Sequence, residues 1–193
     1  MLLDILGTVT SLLSTYYFIR LDNKAWLMTL LATCFNSVLY WQNGIYADML
    51  LELFYFLSTC YGWYLWKKPT EPLGNIRKLS KKQWTLLLIA IMGCFILFSI
   101  LLTTFTPSNV VLLDALTTSL SLAAQWLMCH KALATWFFWL VTDSIYAYMY
   151  FQKQLPFHCL LMIVYMGMAI IGYLTWTKQK RIDQSFGLKL HQA

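Results

Sequence analysis

The chain has 193 residues, 60% of them hydrophobic and only 11% charged, with a mean hydropathy of +0.60. Soluble domains carry about 25% charged residues, so this composition excludes an ordinary soluble domain. The net charge of +6 does not point to nucleic acid, because the basic residues lie between apolar runs, where they set membrane orientation.

Seven apolar runs approach the roughly 20 residues a helix needs to cross the hydrocarbon core. They lie near 2–19, 25–41, 49–66, 84–105, 110–129, 134–151 and 157–176. Short hydrophilic breaks separate them, except for one long basic segment from Lys67 to Lys82, and the tail after Trp176 is polar and basic. No basic stretch precedes the first run, so it is expected to stay as a helix rather than leave as a signal peptide. Seven crossings place the breaks alternately on two sides. Of the 14 Lys and Arg residues, all but Lys153 then fall on one side. By the positive-inside rule that side is cytoplasmic, with the N-terminus outside and the C-terminus inside.

The chain also repeats itself. A shift of 110 residues aligns Leu2–Lys68 with Leu112–Lys178 without a gap, and 17 of 67 positions are identical. Among the matches are Asp4 with Asp114, Trp26 with Trp136, Tyr40 with Tyr150, Gln42 with Gln152, Gly62 with Gly172 and Trp66 with Trp176. The predicted fold is all-α and integral to the membrane: seven transmembrane helices in a 3+1+3 parallel repeat, the symmetry of SWEET-type transporters. Its parts are a first three-helix repeat (1–68), a basic cytoplasmic loop plus linker helix (69–109), a second three-helix repeat (110–178) and a cytoplasmic tail (179–193).

Ionisable groups inside a membrane are costly and mark function or a specific partner. Asp143 sits near the middle of the sixth run. Trp139, Asp143, Tyr146 and Tyr150 fall on one helical face, with Trp136 beside it. A carboxylate among aromatic rings is a receptor for an organic cation; the alternative is a structural bond to a neighbouring helix. The matching face of the second run carries Thr33, Asn36 and Tyr40, polar but uncharged. Glu52 either lines an outer entrance or reaches the headgroups, and Gln125 either bonds a ligand or joins helices. Asp4 and Asp114 fit helix N-termini. The five cysteines are scattered, with no CxxC pair, and read as packing residues. Phosphate-loop, zinc-protease and serine-hydrolase motifs are absent. No catalytic residue, metal site or cofactor is predicted, and a membrane enzyme is disfavoured.

The segments YGWYLW (Tyr61–Trp66), SLSLAAQWLMCHKALATWFFWLVTD (Ser119–Asp143) and IIGYLTW (Ile170–Trp176) resemble the PnuC family of bacterial vitamin transporters. The resemblance implies facilitated diffusion across the bacterial inner membrane without ion or ATP coupling. It also implies a homotrimer and a cytoplasmic kinase that traps the product metabolically. Nicotinamide riboside transporters of the family tend to read WxxWxxxN on the sixth span; here it reads Trp136-x-x-Trp139-x-x-x-Asp143, which looks like the thiamine-transporting branch. The expected substrate is therefore nicotinamide riboside or a related cationic vitamin, with thiamine as the alternative. A non-transporting membrane sensor or structural subunit is the alternative from another class.

Overall fold

The structure is a computed structural model that describes residues 2–42, 46–68, 76–105 and 111–190. Among these it forms seven helices: α1 (Leu2–Ile19), α2 (Lys24–Gln42), α3 (Tyr46–Lys67), α4 (Lys81–Phe105), α5 (Val111–Cys129), α6 (Thr135–Gln152) and α7 (Pro156–Leu190). All seven apolar runs are helical, with ends within a few residues of those read from the sequence, except for the end of α7.

Local chemistry explains the boundaries. Asp4 and Asp114 lie in the first turns of α1 and α5, at the positive end of each helix dipole. The Asp22 carboxylate accepts from the Lys24 amide, 2.9 Å, at the start of α2. Ser80 and Gln83 form a reciprocal capping box at the start of α4, each backbone N–H donating to the other's side chain. Pro156 opens α7, where its missing N–H costs no helical bond. The tail expected beyond Trp176 continues this helix to Leu190. Its Lys, Gln and Arg residues are good helix formers, and Gln179 donates to Asp183 one turn on, 2.9 Å.

Four helices are long and apolar enough to cross a membrane by composition alone: α1, α4, α5 and the Pro156–Ser185 part of α7. The other three, α2, α3 and α6, have 19, 22 and 18 residues. They have the necessary length but lose hydropathy to polar residues, among them Asn36, Glu52 and Asp143.

The chain packs as two compact units. One comprises Met1–Ile76, Met128–His130 and Leu174–Ala193; the other comprises Arg77–Leu127 and Lys131–Tyr173. In the first, the Ser14 hydroxyl donates to the Ala25 carbonyl, 3.2 Å, joining α1 to α2. Trp26 is fully buried, and its ring lies so close to Gly62 that any Cβ there would collide with it. In the second, the Thr135 hydroxyl donates to the Ala124 carbonyl, 2.8 Å, joining α6 to α5. Trp136 is buried, and a Cβ on Gly172 would stand 2.6 Å from its ring. Phe138 packs with Ala124, Leu127 and Ala132, and Trp84, Leu87 and Ile91 of α4 close over them. Otherwise α4 presents apolar side chains outward and buries none fully. The segment before α4 is pinned to the α5–α6 turn: Arg77 N donates to Lys131 O, and Leu133 N donates to Arg77 O, both 3.0 Å.

Three of the turns share an unusual backbone, with Gln154, between α6 and α7, at φ 57°. Leu21, between α1 and α2, has φ 57°, and Lys131, between α5 and α6, has φ 50°. Left-handed conformations are disfavoured for side chains of this size, yet the same one recurs 110 residues apart.

Candidate functional site

The second unit places Trp136, Trp139, Asp143, Tyr146 and Tyr150 on α6, with Gln125 on α5. The Thr135–Ala124 bond and the Trp136–Gly172 contact fix the start of α6 against α5 and α7, which sets the height and rotation of the rest of that face. Asp143 follows about two turns later and is buried, at 8% exposure. No described residue pairs with its carboxylate or donates to it. A buried charge left so is expensive. Thr142 beside it is fully buried, and its hydroxyl has no hydrogen-bond partner among the described residues. Further along α6, Tyr146 and Tyr150 stack with ring centroids 6.1 Å apart and planes 18° from parallel. Tyr150 also meets the His158 ring of α7 at 5.2 Å. Gln125 is buried at 6% exposure.

The first unit brings two other predicted residues together. Asn36 Nδ2 donates to Glu52 Oε1 across 3.2 Å, linking α2 to α3. The carboxylate of Glu52 is thus held to a neighbouring helix. Gly7 of α1 makes room for the pair, since a Cβ there would collide with the Asn36 side-chain oxygen. Thr33 is buried and donates to Leu30 O, 3.0 Å. Tyr40 is half-buried one turn beyond Asn36.

The Asn36–Glu52 bond was not visible in the sequence, because the two residues sit on different helices 16 positions apart. The role of Gly7 was equally hidden. The glycines at 62 and 172, by contrast, had a visible signal: each matched the other, and each has a tryptophan 36 residues before it.

Seven helices among the described residues, four of them long and apolar enough to cross a membrane, define a polytopic helical membrane protein. Known proteins make the class specific. The profile of the nicotinamide mononucleotide transporter family matches residues 1–178. The chain belongs to that family: it is a membrane transporter and not an enzyme. It is 22% identical over 172 residues to the nicotinamide riboside transporter PnuC of Escherichia coli (strain K12), covering 75% of this chain and 72% of that protein. It is 24% identical over 189 residues to the nicotinamide riboside transporter PnuC of Neisseria mucosa, covering 89% and 70%. Its fold matches the crystal structure of the vitamin B3 transporter PnuC with a TM-score of 0.74 at 23% identity, over 93% of this chain and 82% of that one.

Proposed function

We propose that this transporter carries a small cationic vitamin of the nicotinamide riboside type down its gradient. The observation that carries the proposal is Asp143: a carboxylate buried in the membrane with no described partner has its charge unmet until a cation arrives. Trp139, Tyr146 and Tyr150 line the same helical face and offer ring faces to a cationic heterocycle. Trp136 forms the packed base of that face, and Gln125 supplies a hydrogen-bonding amide. Asn36, Tyr40 and Glu52 are the polar counterpart in the first unit. Thiamine is the second reading. It is suggested by the carboxylate that ends Trp136-x-x-Trp139-x-x-x-Asp143, the form of the motif that resembles the thiamine-transporting branch; a carboxylate adds charge pairing to either cation.

The architecture proposed with this function is seven spans in a 3+1+3 parallel repeat within the bacterial inner membrane. Supporting it are contacts that recur at a spacing of 110: Ser14–Ala25 with Ala124–Thr135, Trp26–Gly62 with Trp136–Gly172, and the left-handed residues Leu21 and Lys131. The distribution of Lys and Arg favours a periplasmic N-terminus and a cytoplasmic C-terminus. A homotrimer and a cytoplasmic kinase that traps the vitamin complete the proposal, both by likeness to the family.

The test is thermal stabilisation of the purified protein by nicotinamide riboside, thiamine and riboflavin. A ligand that binds the folded state raises the melting temperature by mass action. Stabilisation by one of the two cationic vitamins, absent in Asp143→Asn, is expected. Stabilisation by none, or equal stabilisation of the variant, counts against the proposal.

A further inference from the structure

One end of the first unit carries a group of cations that the ligand site does not use. α1 finishes there and α2 starts there. Trp66, near the end of α3, donates through Nε1 to the Met128 and Cys129 carbonyls, 3.2 Å each, and its ring lies 5.7 Å from that of Phe18. Trp176 Nε1 donates to the Phe18 carbonyl, 3.0 Å. All these residues belong to the first unit.

Four basic side chains at this end are seated on aromatic rings. The Arg20 guanidinium lies 4.8 Å from the centre of the Tyr16 ring, Lys67 Nζ 4.4 Å from that of Trp63 and Lys68 Nζ 4.6 Å from that of Tyr64. In these three pairs the ring stands one helical turn earlier. Lys24 Nζ reaches across the turn to Tyr17, 5.9 Å away. A basic chain folded back along its helix keeps its charge beside the apolar flank instead of extending into water. Trp and Tyr rings favour the headgroup level of a membrane, so these seats hold the cations at the height of lipid phosphates.

The cations are exposed, and no carboxylate among the described residues pairs with Arg20, Lys24 or Lys67. Asp22 accepts from the Lys24 amide and Asp183 from the Gln179 side chain. The duplicated fold does not require these charges either. At a shift of 110, Arg20, Lys24 and Lys67 become His130, Ala134 and Thr177. Towards the middle of α1, Leu13 and Val9 continue the face of Tyr16; on α3, Tyr61 and Leu57 continue that of Tyr64. All four are exposed. Each helix thus presents a cation above an apolar strip, which matches a phosphate above an acyl chain.

We propose that this end of the first unit is a binding surface for anionic phospholipid. The phosphates pair with Arg20, Lys24 and Lys67, and the acyl chains lie along the flanks of α1 and α3. The inference goes beyond transport and does not depend on which vitamin is carried.

The test measures binding of fluorescent phosphatidylglycerol and phosphatidylcholine to the full chain in neutral detergent. Wild type is expected to prefer phosphatidylglycerol about 100-fold, from three charges at about fivefold each. Arg20→Gln, Lys24→Gln and Lys67→Gln combined should abolish that preference and leave phosphatidylcholine binding unchanged. Single variants at these exposed positions, each expected to cost about fivefold, carry the test if the triple variant does not fold. Lys78→Gln, Lys81→Gln and Lys82→Gln combined remove the same charge from the segment before α4 and should keep the preference. Equal loss in both triple variants overturns the proposal, because net charge alone then explains the binding. No preference in wild type also overturns it. So does competition by glycerol phosphate as strong as by the lipid, which would make this a site for soluble phosphate. Trp63→Leu and Tyr16→Leu keep the charges and remove two seats. Each should weaken phosphatidylglycerol binding about threefold, and unchanged affinity in both overturns the role of the rings.

Discussion

The indole of Trp136 fills the space that a side chain on Gly172 would need, with three ring atoms 2.6 Å from where its Cβ would stand. An aromatic ring buried on both sides cannot swing away as a flexible chain could. Gly172→Ala is therefore expected to destabilise the protein by about 1–3 kcal/mol, the usual cost of overpacking. Gly62→Ala, against Trp26, should cost a similar amount. Exposed Gly93, with open space around it, is the control and should tolerate alanine. Thermal melting in detergent ranks the three.

Asp143 gives a prediction with opposite signs in two states. Without ligand its buried carboxylate has no partner among the described residues, which costs stability, so Asp143→Asn should melt higher than wild type. With a cationic vitamin present, the variant loses charge pairing worth about 1.5–3 kcal/mol, roughly 10- to 100-fold in affinity. Melting curves with and without ligand measure both. A variant less stable than wild type in the absence of ligand would indicate that Asp143 is held by structural bonds.

The Asn36–Glu52 bond should appear as coupling. Asn36→Ala leaves the Glu52 carboxylate short of a donor and is expected to cost about 1–3 kcal/mol. In a double-mutant cycle with Glu52→Ala the two effects should fall short of additivity. Additive effects would show that the bond contributes nothing. Gly7→Ala probes the same pair from α1: it should displace the Asn36 side chain and reproduce part of its loss.

Leu21 holds a left-handed backbone that costs a branched side chain about 1–2 kcal/mol. Leu21→Asn should raise the melting temperature, because asparagine accepts this conformation more readily. Lys131→Asn tests the equivalent turn, and a fall in both would show that the native side chains contribute more by packing than the backbone costs.

Much of this was legible in the sequence because membrane helices declare themselves by apolar length and because duplicated residues repeat at a constant shift. Trp26, Gly62, Trp136 and Gly172 stood out for that reason, and the structure joins each tryptophan to the glycine 36 residues later. What the sequence hid were contacts whose partners have no pattern. Glu52 had two open readings until Asn36 was found beside it. The indole bonds of Trp66 and Trp176 end on backbone carbonyls, which carry no residue identity to read. The extension of α7 beyond Trp176 carries no hydropathy signal, because hydropathy ends at the membrane surface whereas helix propensity in Thr177–Leu190 does not.

Uptake by proteoliposomes tests the central claim most directly. Nicotinamide riboside and thiamine are supplied outside vesicles that contain the protein but no ATP and no ion gradient. With valinomycin and equal potassium on both sides to compensate the charge carried, one of the two should enter saturably until its concentrations equalise, and Asp143→Asn should reduce that flux at low concentration by the 10- to 100-fold expected from lost charge pairing. Flux no greater than in empty vesicles for both vitamins, or wild-type flux through Asp143→Asn, would contradict the account.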